Sequence, residues 1–306
     1  MKKILGFVFL LLLVTSCEVK KERLELNLTK GETYTQQMAS SMSILQTING
    51  QEVKTNMSVH GKMTYKVIDI QNSVYEIEVR YESLALKMSM PGGTMEFSSE
   101  KNDANDILST LLGVMKNKPF LVKMTKTGKV NEVKNIENLF SDMFIKTPTL
   151  NEMQQQQIRQ QLMQAYGEQA FKGNLEMCSA IFPDSTVAKG DKWVIKTKLE
   201  SGMAANMETS YELKETEDTF YIISGISKIA TADKDAYIQS NGMPLKYDMT
   251  GTMTSEIKIN RKTGWVIESK TSQTIQGTAQ IKDNPQMPGG MSIPMTMNNE
   301  MTVTEK

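Results

Sequence analysis

The sequence is poor in the residues from which reaction centres are most often built. Among 306 residues it has one histidine, His60, two cysteines, Cys17 and Cys178, two tryptophans, and an aromatic content of 7%. A single imidazole rules out a multi-histidine metal site and makes a catalytic dyad hard to assemble. No glycine-rich phosphate loop and no nucleophile-elbow pattern occurs. Ser98-x-x-Lys101 and Ser255-x-x-Lys258 have the serine–lysine spacing of penicillin-interacting enzymes, and Lys-Thr-Gly stands at 126–128 and 262–264. Each pattern occurs twice, Ser255 falls inside an alternating stretch instead of opening a helix, and no Ser-Asp-Asn accompanies them. They read as turn chemistry. Basic and acidic residues number 35 each, so there is no excess of clustered Lys and Arg to meet nucleic-acid phosphates. The expectation is a protein that is not an enzyme, takes no cofactor or metal, and has no nucleic-acid partner.

Long apolar runs are also scarce: the chain has one, at the start. Lys2 and Lys3 precede the eleven apolar residues Ile4 to Val14, and Thr15 and Ser16 lead into Cys17. That run is too short to span a bilayer and fits a secretory signal over residues 1–16. Val14-Thr15-Ser16-Cys17 resembles the bacterial lipobox, which implies cleavage before Cys17 and acylation of its sulfur and its new amino terminus. Each buried methylene adds roughly 0.8 kcal/mol and one chain binds only marginally, so three chains would anchor the protein durably. The expected location is therefore the bacterial cell envelope, lipid-anchored, on the outer membrane facing the periplasm or the cell surface. The membrane, reached through this anchor, is the expected partner. Cys178 is then left without a disulfide partner and is expected to be a small core residue.

The dominant pattern of the remainder is period-two alternation. Val53, Met57, Val59, Met63, Tyr65 and Val67 share one parity, with Lys54, Asn56, His60 and Lys62 on the other. Tyr75, Ile77, Val79 and Tyr81 continue it. The phase then slips to Leu84, Leu86, Met88 and Met90, which predicts a β-bulge near Ser83. In the C-terminal part Tyr247, Met249, Met253, Ile257 and Ile259 alternate with polar residues up to the turn Lys262-Thr263-Gly264, and Met291, Ile293, Met295, Met297, Met301 and Val303 form a last stripe.

The middle of the chain reads differently. Helices are predicted over 104–116 and 136–145, a short hairpin over 120–133 around Thr127-Gly128, and a longer helix whose capping box is Thr149 and Glu152. Gln154 to Gln157 give that helix a solvated face. The expected class is α+β, mainly β, with long curved antiparallel strands, as a half-barrel or two related β units, and a helical insertion. The expected divisions are 1–16 signal peptide, 17–29 lipidated tether and first strand, 30–101 N-terminal β unit, 102–172 helical insertion with hairpin, and 173–306 C-terminal β unit. Lys30-Gly31-Glu32-Thr33-Tyr34 and Lys189-Gly190-Asp191-Lys192-Trp193 both open long β stretches and suggest an internal duplication.

Methionine is the abundant residue, at 24 copies. Thioethers are soft ligands for Cu(I), and Met88-Ser-Met90 and Met295-Thr-Met297 raise that minor alternative. Two residues apart on a strand is the same face, however, where these methionines take turns with isoleucine and valine, so packing is the main reading. Because methionine is unbranched and adaptable, a face carrying Met57, Met63, Met88, Met249, Met253, Met295 and Met297 is also expected to suit a hydrophobic ligand such as a lipid. The first expectation remains a non-enzymatic structural or interaction protein in which helices fill the concavity, with the hydrophobic-ligand face as the alternative.

The lipobox, the two Lys-Gly-acid-x-aromatic openings, Phe182-Pro183-Asp184 leading to Gly190-Asp191-Lys192-Trp193, and the Lys-Thr-Gly hairpins together resemble an uncharacterised lipoprotein family of Bacteroidota, defined only as a domain of unknown function. The resemblance covers nearly all of the chain after Ser16 and implies a fold and a location without implying an active site. At the level of fold, the pattern is distantly similar to the half-barrel carriers and receptors of lipoprotein trafficking.

Overall fold

A computed structural model describes residues 20–305 apart from 102, 104–105, 144–150, 200–202, 241–242 and 286. Cys17 therefore lies outside the described residues. The strands are β1 (Thr33–Ile48), β2 (Gln51–Gln71), β3 (Val74–Met90), β4 (Gly93–Ser98), β5 (Phe120–Thr125), β6 (Val130–Lys134), β7 (Lys192–Leu199), β8 (Ala205–Thr216), β9 (Phe220–Thr231), β10 (Ile238–Ser240), β11 (Met243–Asn260), β12 (Val266–Ile281) and β13 (Met291–Glu305). They form one antiparallel sheet in the order β6-β5-β3-β2-β1-β13-β12-β11-β9-β8-β7, with β4 on β3 and β10 on β11. The sheet is curved and unclosed.

The predicted slip in β3 is present. Met63 pairs with Tyr81 and Lys62 with Ser83, so Glu82 is the extra residue that keeps Tyr81 and Leu84 on one face. Through the ladders, Tyr34, Tyr65, Val79, Met57, Met88, Ile257, Ile223 and Leu213 all fall on that same inner side.

The order also contains the same meander twice. The run β1-β2-β3-β5-β6 opens on Lys30-Gly31-Glu32 and has Lys-Thr-Gly between its last two strands; β7-β8-β9-β11-β12 opens on Lys189-Gly190-Asp191 and has Lys-Thr-Gly in the same place. The opening turns are bonded alike. Gly31 N–H donates to Val67 O and Val67 N–H to Glu32 O, as Gly190 N–H donates to Leu213 O and Leu213 N–H to Asp191 O. Both glycines have left-handed φ, +88° and +90°, which explains why glycine precedes the acid in each. β13 joins the two meanders by pairing with β1 and β12.

Helix α1 (Ile107–Met115) lies between β4 and β5 within the first meander, and a 3-10 helix (Ile136–Phe140) and helices α2 (Glu152–Tyr166) and α3 (Glu168–Ser179) lie between the two meanders in sequence. Three expectations are corrected here. The segment 136–145 begins as the 3-10 helix, and its part beyond Met143 lies outside the described residues. The capping box of α2 is Asn151 and Gln154, not Thr149 and Glu152: each side chain of that pair accepts from the other's backbone N–H, at 3.0 Å both ways; Thr149 and Leu150 lie outside the described residues. The long helix is broken at Gly167, whose extended backbone (ψ −179°) ends α2 and starts α3.

α3 packs on both β6 and β7, the two edges of the sheet path. Glu176 accepts from Val130 N–H at 2.9 Å, and Ser179 Oγ donates to Gly128 O at 2.7 Å, fixing the helix to the start of β6. The N-terminal segment closes the same end. Among the described residues, the strand expected within 17–29 forms one bridge, Glu22 to Val187. The chain beyond it runs extended between the two Lys-Thr-Gly turns, Leu26 N–H donating to Lys126 O and Asn27 N–H to Thr263 O. Leu24, Leu26 and Leu28 are buried, and Tyr75 Oη donates to Leu26 O at 2.8 Å. Gly264 permits this approach: its φ is +68°, and a Cβ there would lie 2.1 Å from Glu25 O. With Phe120, Leu139, Phe171, Ile181 and Trp265 these residues form the main core, which fills one end of the curved sheet, the base.

Candidate ligand-binding face

The inner face changes character along its strands. On β2, Tyr65 and Val67 at the base are 7% and 0% exposed, whereas Met57 and Val59, of the same parity, are half-buried. The cause is what lies over them. α3, α1 and the N-terminal segment pack on the base beneath β2 and β3, whereas on β8, β9 and β11 the distal residues Ala205, Met207, Ile229 and Met249 are buried in a second cluster against which Met177 of α3 packs.

All seven methionines singled out in the sequence lie on this inner side. Met57 pairs with Met88; Met297 pairs with Ile44 on β1 and with Ile275 on β12; Met295 pairs with Gly277, which in turn faces Met249. They do not share one environment. Met63 packs against the base core, and Met249 and Met253 are buried in a second apolar cluster with Ala205, Met207, Ile229 and Ile275. Met57, Met88, Met295 and Met297 are half-buried in the distal trough, the last two against that second cluster. The trough is bounded on one side by Met90, Met95 and the first turn of α1, where Ile107 and Leu108 are 49% and 47% exposed. Lys54, Lys258 and Glu300 take the outer parity, as does His60, which is paired with Ala39 and Ala85.

Asp106 positions α1 at this rim. Its carboxylate accepts from Ser109 N–H at 3.0 Å and from Lys101 Nζ at 2.6 Å. The Lys101 hydrogen bond, then that of the Ser109 backbone, holds Asp106 down at about 2. Between α3 and the sheet, Cys178 lines two narrow cavities together with Gln36 and Val266, and burial pushes its thiol up to about 11. That is an inert packing thiol, not a reactive one.

Sequence reasoning missed a polar belt on the inner face at the floor of the trough. Asn299, Gln273, Ser227 and Thr209 lie on one rung of the ladder, with Met253 between Gln273 and Ser227, and Ser40, Thr271 and Ser255 lie on the next. Ser40 Oγ donates to Asn299 Oδ1 at 2.7 Å, and the buried hydroxyls of Thr209 and Ser227 bond each other at 2.8 Å. The available signal was the break in apolar alternation on β12, where Thr271 and Gln273 occupy the parity that Ile275 and Ala279 fill further on.

Residues 72–266 match the family of unknown function DUF6263. The chain belongs to that family. No curated protein matches the sequence. Among solved structures, this DUF6263 member is similar to lipovitellin, described for its lipid–protein interactions, with a TM-score of 0.48 and 7% identity over 92% of this chain. It spans 25% of the length of that lipovitellin chain. It is also similar to an outer membrane channel from Pseudomonas putida F1, with a TM-score of 0.27 and 9% identity over 92% of this chain and 97% of the channel.

Proposed function

We propose that the protein is a lipid-anchored, non-enzymatic protein of the bacterial cell envelope that holds a hydrophobic molecule in the distal trough. The observation that carries this reading is the contrast along β2 and β3: the inward parity is buried at the base and left half-exposed, apolar and methionine-rich beyond it. Flexible thioethers adapt to ligands of varied shape, and concave apolar faces are where such ligands bind. The alternative of a scaffold required helices to fill the concavity, and α1 and α3 occupy its base.

The anchor belongs to the same proposal. Its support is the lipobox ending at Cys17 and the fixation of the chain five residues later. Glu22 is bridged to Val187, its carboxylate accepts from Arg261 at 2.7 Å, and it accepts from Tyr221 Oη at 3.0 Å. Five residues reach at most roughly 18 Å, so a lipid on Cys17 holds the base close to the bilayer and turns the trough away from it.

The test is titration of the delipidated protein, residues 18–306, with the fluorescent probe N-phenyl-1-naphthylamine, together with native mass spectrometry of the protein as purified. The expected result is saturable probe binding at one site and co-purifying lipid. Absence of both saturable binding and bound lipid would end the carrier reading.

A further inference from the structure

We infer that the ligand is an uncharged amphipathic lipid, its hydroxyl, ester or amide head seated on the polar belt and its acyl chain lying along the methionine trough. The inference rests on the trough being a ligand site and deepens it by specifying the head group.

Two observations carry it. The first is charge. Among the described residues, the inward parity of β1, β2, β3, β7, β8, β9, β11, β12 and β13 includes no Lys or Arg, and its single carboxylate is Glu305, paired with Gln36 towards the base. The outer parity of the same strands carries Lys54, Lys62, Lys87, Lys246, Lys258 and Lys270. An anionic head drawn onto the inner face would lose its water and meet no cation there. Fatty carboxylates and phosphate diesters are therefore disfavoured.

The second is the belt itself. Nothing in the packing of an apolar core calls for Asn299, Gln273, Thr271 and Ser255 on the inner side of adjacent strands. Thr271 and Ser255 line the narrow cavity under Met177 and Cys178 of α3, so the groups offered to a ligand are the half-buried amides of Asn299 and Gln273, which supply donors and acceptors in uncharged form, as a hydroxyl, ester or amide needs to exchange its bonds with water. With Ser40 satisfying the Asn299 carbonyl, the Asn299 amide N–H groups are left as donors towards the trough, beside Gln273. From the belt to the far end of β1, Met42 to Ile48, the inner wall rises roughly 20 Å, room for an extended acyl chain between Ile44, Met297 and Met57.

The experiment is displacement of N-phenyl-1-naphthylamine from residues 18–306 by monoolein and, separately, by oleate at pH 8, where a carboxyl in water is ionised. Gln273→Leu and Asn299→Leu are run alongside. The expected result is displacement by monoolein at concentrations at least tenfold below those of oleate. Each variant should lose about fivefold or more in monoolein affinity relative to its own affinity for the probe. Oleate equal to or better than monoolein, or full monoolein affinity in both variants, would overturn the neutral head group while leaving the trough as a binding site. Absence of probe binding by the unmodified protein would remove the site and this inference with it.

Discussion

Met57→Asp and Met297→Asp, made singly, each weaken binding of N-phenyl-1-naphthylamine at least tenfold and leave the fold intact. Both side chains are half-buried in the distal trough, so in the empty protein a carboxylate at either place keeps part of its hydration and lowers the melting temperature by only a few degrees. A ligand seated over it strips that water away with no cation on the inner strands to compensate. Desolvating one carboxylate costs several kcal/mol, and each 1.4 kcal/mol is a factor of ten in affinity, so tenfold is a lower bound. Asn56→Asp is the control, one residue along β2 with its side chain on the outer, exposed face. It should leave binding unchanged. Equal probe affinity in Met57→Asp and Asn56→Asp would mean that the trough is not where the probe sits.

The largest stability effect is expected at Gly128. It combines φ of +81° with close packing: an added Cβ would lie 1.8 Å from Ser179 O and 2.4 Å from Ser179 C. Gly31 has a similar φ, +88°, and open space around it. Gly31→Ala therefore meets only the left-handed penalty, about 1–2 kcal/mol. Gly128→Ala meets that penalty and must also displace the end of α3, for a total of about 3 kcal/mol or more. In a chain of this size 1 kcal/mol moves the melting temperature by roughly 2–4 °C, so thermal unfolding should place Gly128→Ala below Gly31→Ala by several degrees. Because α3 spans β6 and β7, loosening it should also raise binding of an apolar dye at the base. Identical melting temperatures for the two variants would show that α3 is not held on the Lys-Thr-Gly turn.

Strand parity was the most legible part of this chain. Period-two alternation placed Met57, Met253 and Met297 inside with Lys54, Lys258 and Glu300 outside, and the slip after Tyr81 located a bulge to within one residue, because one extra residue flips every later side chain. The duplication could be suspected from two Lys-Gly-acid turns but not argued, since its repeat lies in strand order and backbone bonding and not in spacing. Leu24, Leu26 and Leu28 alternate with Arg23, Glu25 and Asn27 as a strand would, and they are buried. Their backbone partners are turns brought in from residues 126 and 263, which no local pattern reveals. The α2–α3 break was hidden because Gly167 sits inside a continuous helical pattern, where one glycine is ordinarily tolerated. The belt was invisible for a different reason: Thr271 and Gln273 acquire meaning only when register brings Ser255 and Asn299 beside them.

Most depends on an inner face that is sealed at the base and, on β1, β2, β3 and β13, left open beyond it. Brief oxidation of the native protein with dilute hydrogen peroxide, read by peptide mass spectrometry at each methionine, tests this directly, since thioether oxidation follows exposure. Met57, Met88, Met90, Met95, Met295 and Met297 should convert to sulfoxide several-fold faster than Met124, Met143, Met207 and Met249. Protection of both groups alike, or faster oxidation of Met124 and Met249 than of Met57 and Met297, would contradict it.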